Sequence, residues 1–140
     1  MRKLSLLVLT LFTTSCSTPN KKTEYPFEFI NSKTETFGSK TNKMDLYVPI
    51  NDLNFEMLKG ICKEQKENWT DGAFYYLVIF DGKGNAMFPN NPFTASYGID
   101  EEPQKHIKAI FEFNRINGYS KLTSYSKNMW EGSPRSTEIR

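Results

Sequence analysis

The segment that most constrains the fold is Ala73–Phe80, which reads AFYYLVIF. Successive side chains of a β-strand point to opposite faces of a sheet, and here the residues for both faces are apolar or aromatic. Such a strand is stable only when both faces of its sheet are covered. We therefore expect Ala73–Phe80 to be a central strand, with a helix over one face and another part of the chain over the other.

The chain before this strand predicts a strand followed by a helix. Met44–Ile50 (MDLYVPI) alternates in a way typical of a strand, and Pro49 ends it. Asn51 or Asp52 can act as the N-cap of a helix that continues to about Asn68, because apolar residues recur there at a spacing of three to four. Cys62 falls on the apolar side of this helix, as a small buried hydrophobe would.

The chain after the central strand predicts three further strands. Residues 81–85 (DGKGN) form a turn, and Asn85–Pro89 is expected to return as the second strand of a hairpin. Residues 90–104 have no regular pattern, whereas 106–113 and 119–126 are each typical of a strand. The order of elements predicts an α+β fold, in which one helix packs on a mainly antiparallel, curved sheet of about four to five strands.

The N-terminus has the pattern of a secretory signal. Arg2 and Lys3 are followed by the apolar run Leu4–Phe12, which is too short to span a bilayer, and then by the small residues 13–15 and Cys16. This arrangement resembles the lipobox of bacterial lipoproteins, although Thr13 stands where that motif usually has an aliphatic residue.

The lipobox resemblance implies that the chain is cut before Cys16, whose thiol receives a diacylglycerol and whose amino group is acylated, for example by palmitate. The alternative is cleavage by an ordinary signal peptidase and release of a soluble secreted protein. Ser17 differs from the aspartate that retains enteric-type lipoproteins in the inner membrane, so the resemblance favours a lipid-anchored, periplasm-facing protein of the outer membrane over one of the cell membrane.

Four regions follow from these patterns. Residues 1–15 are the expected signal peptide, and 16–43 are expected to hold the lipidated cysteine and a polar tether rich in Ser, Thr, Asn and Lys. Residues 44–126 are the α+β domain, and 127–140 are a polar C-terminal tail.

Charge and composition weaken the case for nucleic acid as a partner and for bound cofactors. Without Arg2 and Lys3 the chain has as many acidic as basic residues, so no basic surface for nucleic acid is expected. One histidine and two cysteines cannot supply a usual zinc site, and no dinucleotide-binding or phosphate-binding glycine motif is present. We predict no metal and no cofactor.

The best candidates for a binding surface lie around the irregular segment. Phe88, Phe93 and Tyr97 are interspersed with Asn90 and Asn91, and a mixture of rigid aromatic and adaptable polar side chains is typical of recognition surfaces. The alternative is that these aromatic residues fold over the second sheet face as a small core.

Candidates for catalysis are weaker. Ser124 and Lys127 have the S-x-x-K spacing, but they fall in a predicted strand, where their side chains would not meet. The acidic residues Asp100–Glu102 could act with His106 in an envelope hydrolase of cell-wall or polysaccharide material.

The sequence favours a non-catalytic, lipid-anchored envelope protein that binds a partner protein or small ligand. Two alternatives remain: an envelope hydrolase, and a structural component of an envelope complex.

Overall fold

The computed structural model describes residues 25–98 and 100–140. The strands are β1 (Phe27–Phe37), β2 (Lys40–Pro49), β3 (Phe74–Phe80), β4 (Ile107–Asn114), β5 (Ser120–Tyr125) and β6 (Pro134–Glu138), and the helices are α1 (Phe55–Asn68) and the single turn α2 (Glu101–Gln104). All six strands form one sheet in their order along the chain. The architecture is α+β, and the sheet is larger than the four to five strands predicted.

The apolar segment is a central strand of this sheet. Phe74–Phe80 lies between β2 and β4, pairing parallel with the first and antiparallel with the second. Its side chains alternate between two apolar cores, with Tyr75, Leu77 and Ile79 in the core under α1 and Tyr76, Val78 and Phe80 in the core on the opposite, second face. A strand that is apolar on both faces therefore lies where both faces are covered, as predicted.

Helix α1 connects β2 to β3. Two consecutive strands can pair parallel only if the chain crosses back over one face of the sheet, and α1 provides this crossover. Asn54, rather than Asn51 or Asp52, is the N-cap: its side-chain oxygen accepts hydrogen bonds from the backbone of Glu56 at 3.0 Å and Met57 at 3.2 Å. The buried residues of the helix are Leu58, Ile61 and Cys62. Cys62 is thus the buried apolar residue predicted, and burial raises the pKa of its thiol.

The second face is covered by the connection between β3 and β4. The predicted hairpin is wrong, because Asn85–Pro89 forms no strand and the antiparallel neighbour of β3 is β4. The connection lies over the sheet instead, and Phe88, Phe93 and Tyr97 pack into the second core. The Tyr97 hydroxyl donates a 2.8 Å hydrogen bond to the carbonyl oxygen of Met87, which closes the connection on itself.

Two of the predicted boundaries are corrected at the sheet edges. Residues 27–43, assigned to the tether, form β1 and the start of β2, which pair antiparallel around a turn at Gly38. Residues 134–138, assigned to the tail, form β6 along β5. Both edge strands are exposed on much of their surface and are therefore polar, so they lack the apolar pattern from which a strand is predicted.

Candidate functional site

A cleft of about 840 Å³ opens on the second face, at the end of the sheet where β1 turns into β2. Its walls are the β1–β2 hairpin and residues 89–94 of the long connection, and its floor is formed where β2 and β3 begin. The lining residues are Lys33, Glu35, Thr36, Phe37, Lys40, Asn42, Ala73, Phe74, Pro89, Asn90, Asn91, Pro92 and Thr94. The volume lies in the range of about 300–1,000 Å³ that is usual for small-molecule sites.

The hairpin wall is held against the long connection by two contacts. Glu35 accepts a 2.9 Å hydrogen bond from the backbone N–H of Phe93. The ammonium group of Lys33 lies 5.9 Å from the ring centroid of Phe88 and 5.6 Å from that of Phe93, within the range of cation–π attraction. The hairpin and the connection are therefore joined across the base of the cleft, and its opening is fixed by charged groups.

The outer part of the hairpin wall is exposed. Phe37 has 85% of its surface accessible, the highest value among the large hydrophobic side chains of the described residues. Lys40 is also exposed, and no acidic group among the described residues forms an ion pair with it. An aromatic ring and a cationic group thus stand together at the mouth of the cleft.

The floor of the cleft contains a buried polar group. Asn42 is only 8% exposed, and its side-chain oxygen accepts a 3.3 Å hydrogen bond from the backbone N–H of Phe74. Its amide nitrogen has no hydrogen-bond partner among residues 25–98 and 100–140. Among the described residues, the fully buried polar side-chain atoms that lack a partner do not include this nitrogen, so it reaches the open space of the cleft and can donate to a bound molecule.

The aromatic part of the floor is Phe74, which packs against a buried ring. The ring of Phe74 lies nearly parallel to that of Tyr76, with centroids 6.2 Å apart and an interplanar angle of 9°. Burial, together with the negative charges of Glu112 and Glu35, raises the pKa of Tyr76 to about 12, so its phenol is neutral at physiological pH. Phe74 alone of the two rings lines the cleft, and Tyr76 packs behind it in the second core.

The opposite wall contains two of the residues predicted to bind. Asn90 is exposed, Asn91 is half-buried, and both line the cleft between Pro89 and Pro92. The backbone N–H of Asn90 donates a 3.2 Å hydrogen bond to Asp100, which fixes the wall without using either amide side chain.

The aromatic residues proposed from the sequence lie elsewhere. Phe93 and Tyr97 are fully buried in the second core, and Phe88 is half-buried against it. Burial also raises the pKa of the Tyr97 phenol. These three side chains pack behind the wall of the cleft. They cover the second face of the sheet as a small core, which was the alternative to a binding surface.

Sequence reasoning missed the hairpin side of the cleft, because residues 16–43 were assigned to a tether. One signal could have found it. Lys33, Glu35 and Phe37 alternate with two threonines. This period of two is typical of a strand whose two faces have different surroundings.

The candidate catalytic residues are not brought together. His106 Nδ1 lies 3.1 Å from Asp81 Oδ2, whereas Glu101 and Glu102 form ion pairs with Lys105. Burial of Asp81 by itself raises its pKa, but hydrogen bonds from Asn85 and His106 outweigh it, so the pKa of this carboxyl is lowered. None of these side chains lines the cleft.

The S-x-x-K pair is also divided. Ser124 lies in β5, where its hydroxyl is 3.5 Å from the carbonyl oxygen of Arg135 in β6, and Lys127 pairs with Glu131. Within the described part of the chain, no group of three or more His, Cys, Asp and Glu side chains is arranged to hold a metal ion.

Cys16, the predicted lipidation site, lies outside the described residues. In residues 25–98 and 100–140 no helix has the length and apolar character needed to cross a membrane. The chain matches no protein-family model, no curated protein and no solved structure.

Proposed function

We propose that this chain is a lipid-anchored bacterial envelope protein whose α+β domain binds a partner protein or ligand in the cleft beside the β1–β2 hairpin. Binding, rather than catalysis, is the function that the site supports best. The observation that carries the proposal is the cleft itself, whose floor holds Phe74 and the largely buried Asn42, and the amide nitrogen of Asn42 has no partner among the described residues. The lipid anchor is inferred from the residues around Cys16, and Ser17 favours the outer membrane over the cell membrane.

The cleft is built for binding because its walls are fixed before any ligand arrives. Glu35 and Lys33 hold the hairpin against the long connection, and Asp100 holds the other wall. A preformed site avoids the cost of ordering loops when it binds, so more of the interaction energy appears as affinity.

A bulky side chain placed in the cleft tests the binding proposal. Thr94 is exposed and lines the cleft, so Thr94→Trp is expected to fill it without disturbing the core. Its neighbour Ala95 is equally exposed but does not line the cleft, and Ala95→Trp is the matched control. In capture from envelope extracts, we expect the molecule that is enriched by the unmodified protein and by Ala95→Trp to be lost with Thr94→Trp. Equal enrichment by both variants would show that the cleft is not the binding site.

Mass spectrometry of the N-terminal peptide of the mature protein tests the anchor separately. We expect a diacylglycerol-modified and acylated cysteine as the first residue, and Cys16→Ala should leave the protein unprocessed or release it from the membrane. An unmodified N-terminus on the wild-type protein would remove the anchor from the proposal and leave the cleft unaffected.

A further inference from the structure

We infer that the ligand of the cleft is a saccharide that carries a carboxylate. This inference rests on the proposed binding function and adds the chemical class of the ligand. It follows from three kinds of group that line one cavity: side-chain amides, an accessible aromatic surface and lysine ammonium groups.

The amides provide the first part of the match. Asn42, Asn90 and Asn91 line the cleft from its floor and from one wall. Each asparagine side chain presents an N–H donor and a carbonyl acceptor side by side, which suits the adjacent hydroxyl groups of a sugar ring, since each hydroxyl both donates and accepts. Thr36 and Thr94 add two hydroxyl groups of the same dual character.

The amide nitrogen of Asn42 is the sharpest indication. It belongs to a side chain that is 92% buried, given its exposure of 8%, and its oxygen is already used by the Phe74 N–H. The amide nitrogen, which donates to no group among the described residues, is therefore left to donate to a ligand. A sugar oxygen or a carboxylate can accept from it, whereas a purely apolar ligand would leave it unsatisfied in a drier environment.

The aromatic surface provides the second part. One face of a sugar ring exposes a patch of C–H groups, and these pack well on a flat aromatic ring. Phe74 lies on the floor with its ring nearly parallel to that of Tyr76, and Phe37 is exposed at the mouth. The two rings lie on the same cavity as the amides, so a ligand can contact apolar and polar groups at once.

The charges decide between a neutral and an acidic saccharide. Lys33 and Lys40 line the cleft with one acid, Glu35, whose carboxylate is occupied by the Phe93 N–H. Lys33 lies over the Phe88 and Phe93 rings, whereas Lys40 has no ion-pair partner among the described residues. A carboxylate on the ligand would complement Lys40 at the mouth of the cleft.

An acidic peptide could also form an ion pair with Lys40, but it would make less use of the amides and aromatic rings that line the cleft. The cleft offers side-chain amides and rings in a half-open recess, whereas an extended peptide is bound chiefly through backbone hydrogen bonds along an open strand edge. The saccharide is therefore the ligand class that uses the whole lining.

The test uses the full acylated chain in detergent micelles, titrated against soluble oligosaccharides that contain glucuronate, galacturonate, mannuronate, sialate or muramate. Each is paired with its carboxyl-reduced, neutral counterpart, and an oligoglutamate of equal charge serves as the peptide probe. We expect at least one acidic saccharide to bind, and its neutral counterpart to bind about two- to fivefold more weakly, since the carboxylate pairs with the exposed Lys40.

Three variants and their controls locate the binding. Asn42→Asp keeps the oxygen that accepts from Phe74 but replaces the donor with a second oxygen, and we expect affinity to fall at least about tenfold. Asn54→Asp makes the same chemical change at the N-cap of α1, on the other face of the sheet, and should bind normally. Lys40→Gln should weaken binding up to about fivefold, and the exposed helix residue Lys63→Gln should not.

Each outcome decides the inference. If no acidic saccharide binds, or if oligoglutamate binds as tightly as the best one, the ligand class is wrong. In that case loss of the captured molecule with Thr94→Trp would still support the binding cleft, so the two failures are distinguishable. If Asn42→Asp does not fold, as shown by circular dichroism, then Lys40→Gln and Thr94→Trp decide, because both positions are exposed; unchanged saccharide binding by both would overturn the inference.

Discussion

The phenol of Tyr75 donates a 2.9 Å hydrogen bond to Oδ2 of Asp45, a carboxylate that is buried under α1. Lys43 reaches the same oxygen at 2.9 Å from a partly exposed position. The other carboxylate oxygen, Oδ1, has no partner among the described residues. Burial and the nearby negative charge of Asp45 raise the pKa of Tyr75, so the phenol stays protonated and remains a donor.

Removing this donor is expected to destabilise the fold. Tyr75→Phe keeps the ring in the core but leaves the buried carboxylate with Lys43 alone, and we expect the free energy of unfolding to fall by about 1–3 kcal/mol. Tyr119→Phe is the control, because Tyr119 is exposed and should change stability by less than about 0.5 kcal/mol. Urea denaturation measures both. Equal stabilities for the two variants would mean that the Tyr75–Asp45 contact contributes nothing.

Phe93 and Phe37 should separate stability from binding. Phe93 is fully buried, so Phe93→Ala is expected to cost about 3–5 kcal/mol and to loosen the wall of the cleft that Glu35 holds. Phe37 is exposed at the mouth, and Phe37→Ala should leave stability within about 0.5 kcal/mol while weakening ligand binding. Thermal melts and ligand titrations of both variants provide the comparison. The reverse pattern would make Phe93 the binding residue.

Glu112 predicts a pH-dependent stability. Burial raises the pKa of this carboxyl, against the opposing influence of Lys121 beside it on β5. A raised carboxyl pKa in the folded state means that the charged form destabilises the fold. This loss of stability is complete at pH values above the pKa of Glu112 in the folded state. It is absent at pH values below the pKa of a glutamate in the unfolded state, about 4.3. We therefore expect Glu112→Gln to be more stable than the wild type at pH 7–8 and equal to it near pH 3.

The control for Glu112 is its neighbour. Lys121→Gln removes the compensating charge, so it should destabilise the protein at pH 7 in the presence of Glu112 and have a smaller effect in the Glu112→Gln background. Urea titrations across the pH range provide the four stabilities. A stability gap between wild type and Glu112→Gln that is independent of pH would contradict the raised pKa.

Gly72 should tolerate no side chain. A Cβ atom built there would lie 2.0 Å from the ring of Trp69, well inside van der Waals contact, so Gly72→Ala must displace the indole. We expect a loss of about 1–3 kcal/mol and a changed tryptophan emission spectrum. Gly84 has no atom within 4 Å of such a Cβ and has an ordinary backbone angle, so Gly84→Ala should be neutral or slightly stabilising. A wild-type spectrum and stability for Gly72→Ala would show that Trp69 moves freely.

The interior of this fold can be predicted from the sequence much better than its edges. Phe74–Phe80 could be placed centrally because burial on both faces leaves an uninterrupted apolar run. The full extent of β1 could not be predicted, because this strand has no neighbour on its outer side in the described sheet and most of its side chains face solvent. The segment 85–89 was wrongly predicted to be a strand. Phe88 packs against the second core, and an apolar residue in that role cannot be told from one in a strand by sequence alone.

The candidate site shows the same division. Asn90 and Asn91 stand out locally as polar residues among aromatic ones, and they do line the cleft. Lys40 and Asn42 could not be joined to them from the sequence, because they are about fifty residues away and meet them only through the pairing of β1 and β2 and the fold-back of the long connection. The Asn42 amide, which carries the ligand inference, looks like any polar residue until its burial is known.

The course of β1 has a consequence for where the cleft lies relative to the point at which the chain enters the sheet. The strand begins at Phe27, close along the chain to Cys16, and its eleven residues reach the hairpin beside the cleft about 36 Å further on. Ten residues separate Cys16, the proposed lipidation site, from Phe27, and ten residues of chain span at most about 35 Å. The cleft lies at the far end of that strand, so the chain enters the sheet edge at one end and the binding site proposed here opens at the other.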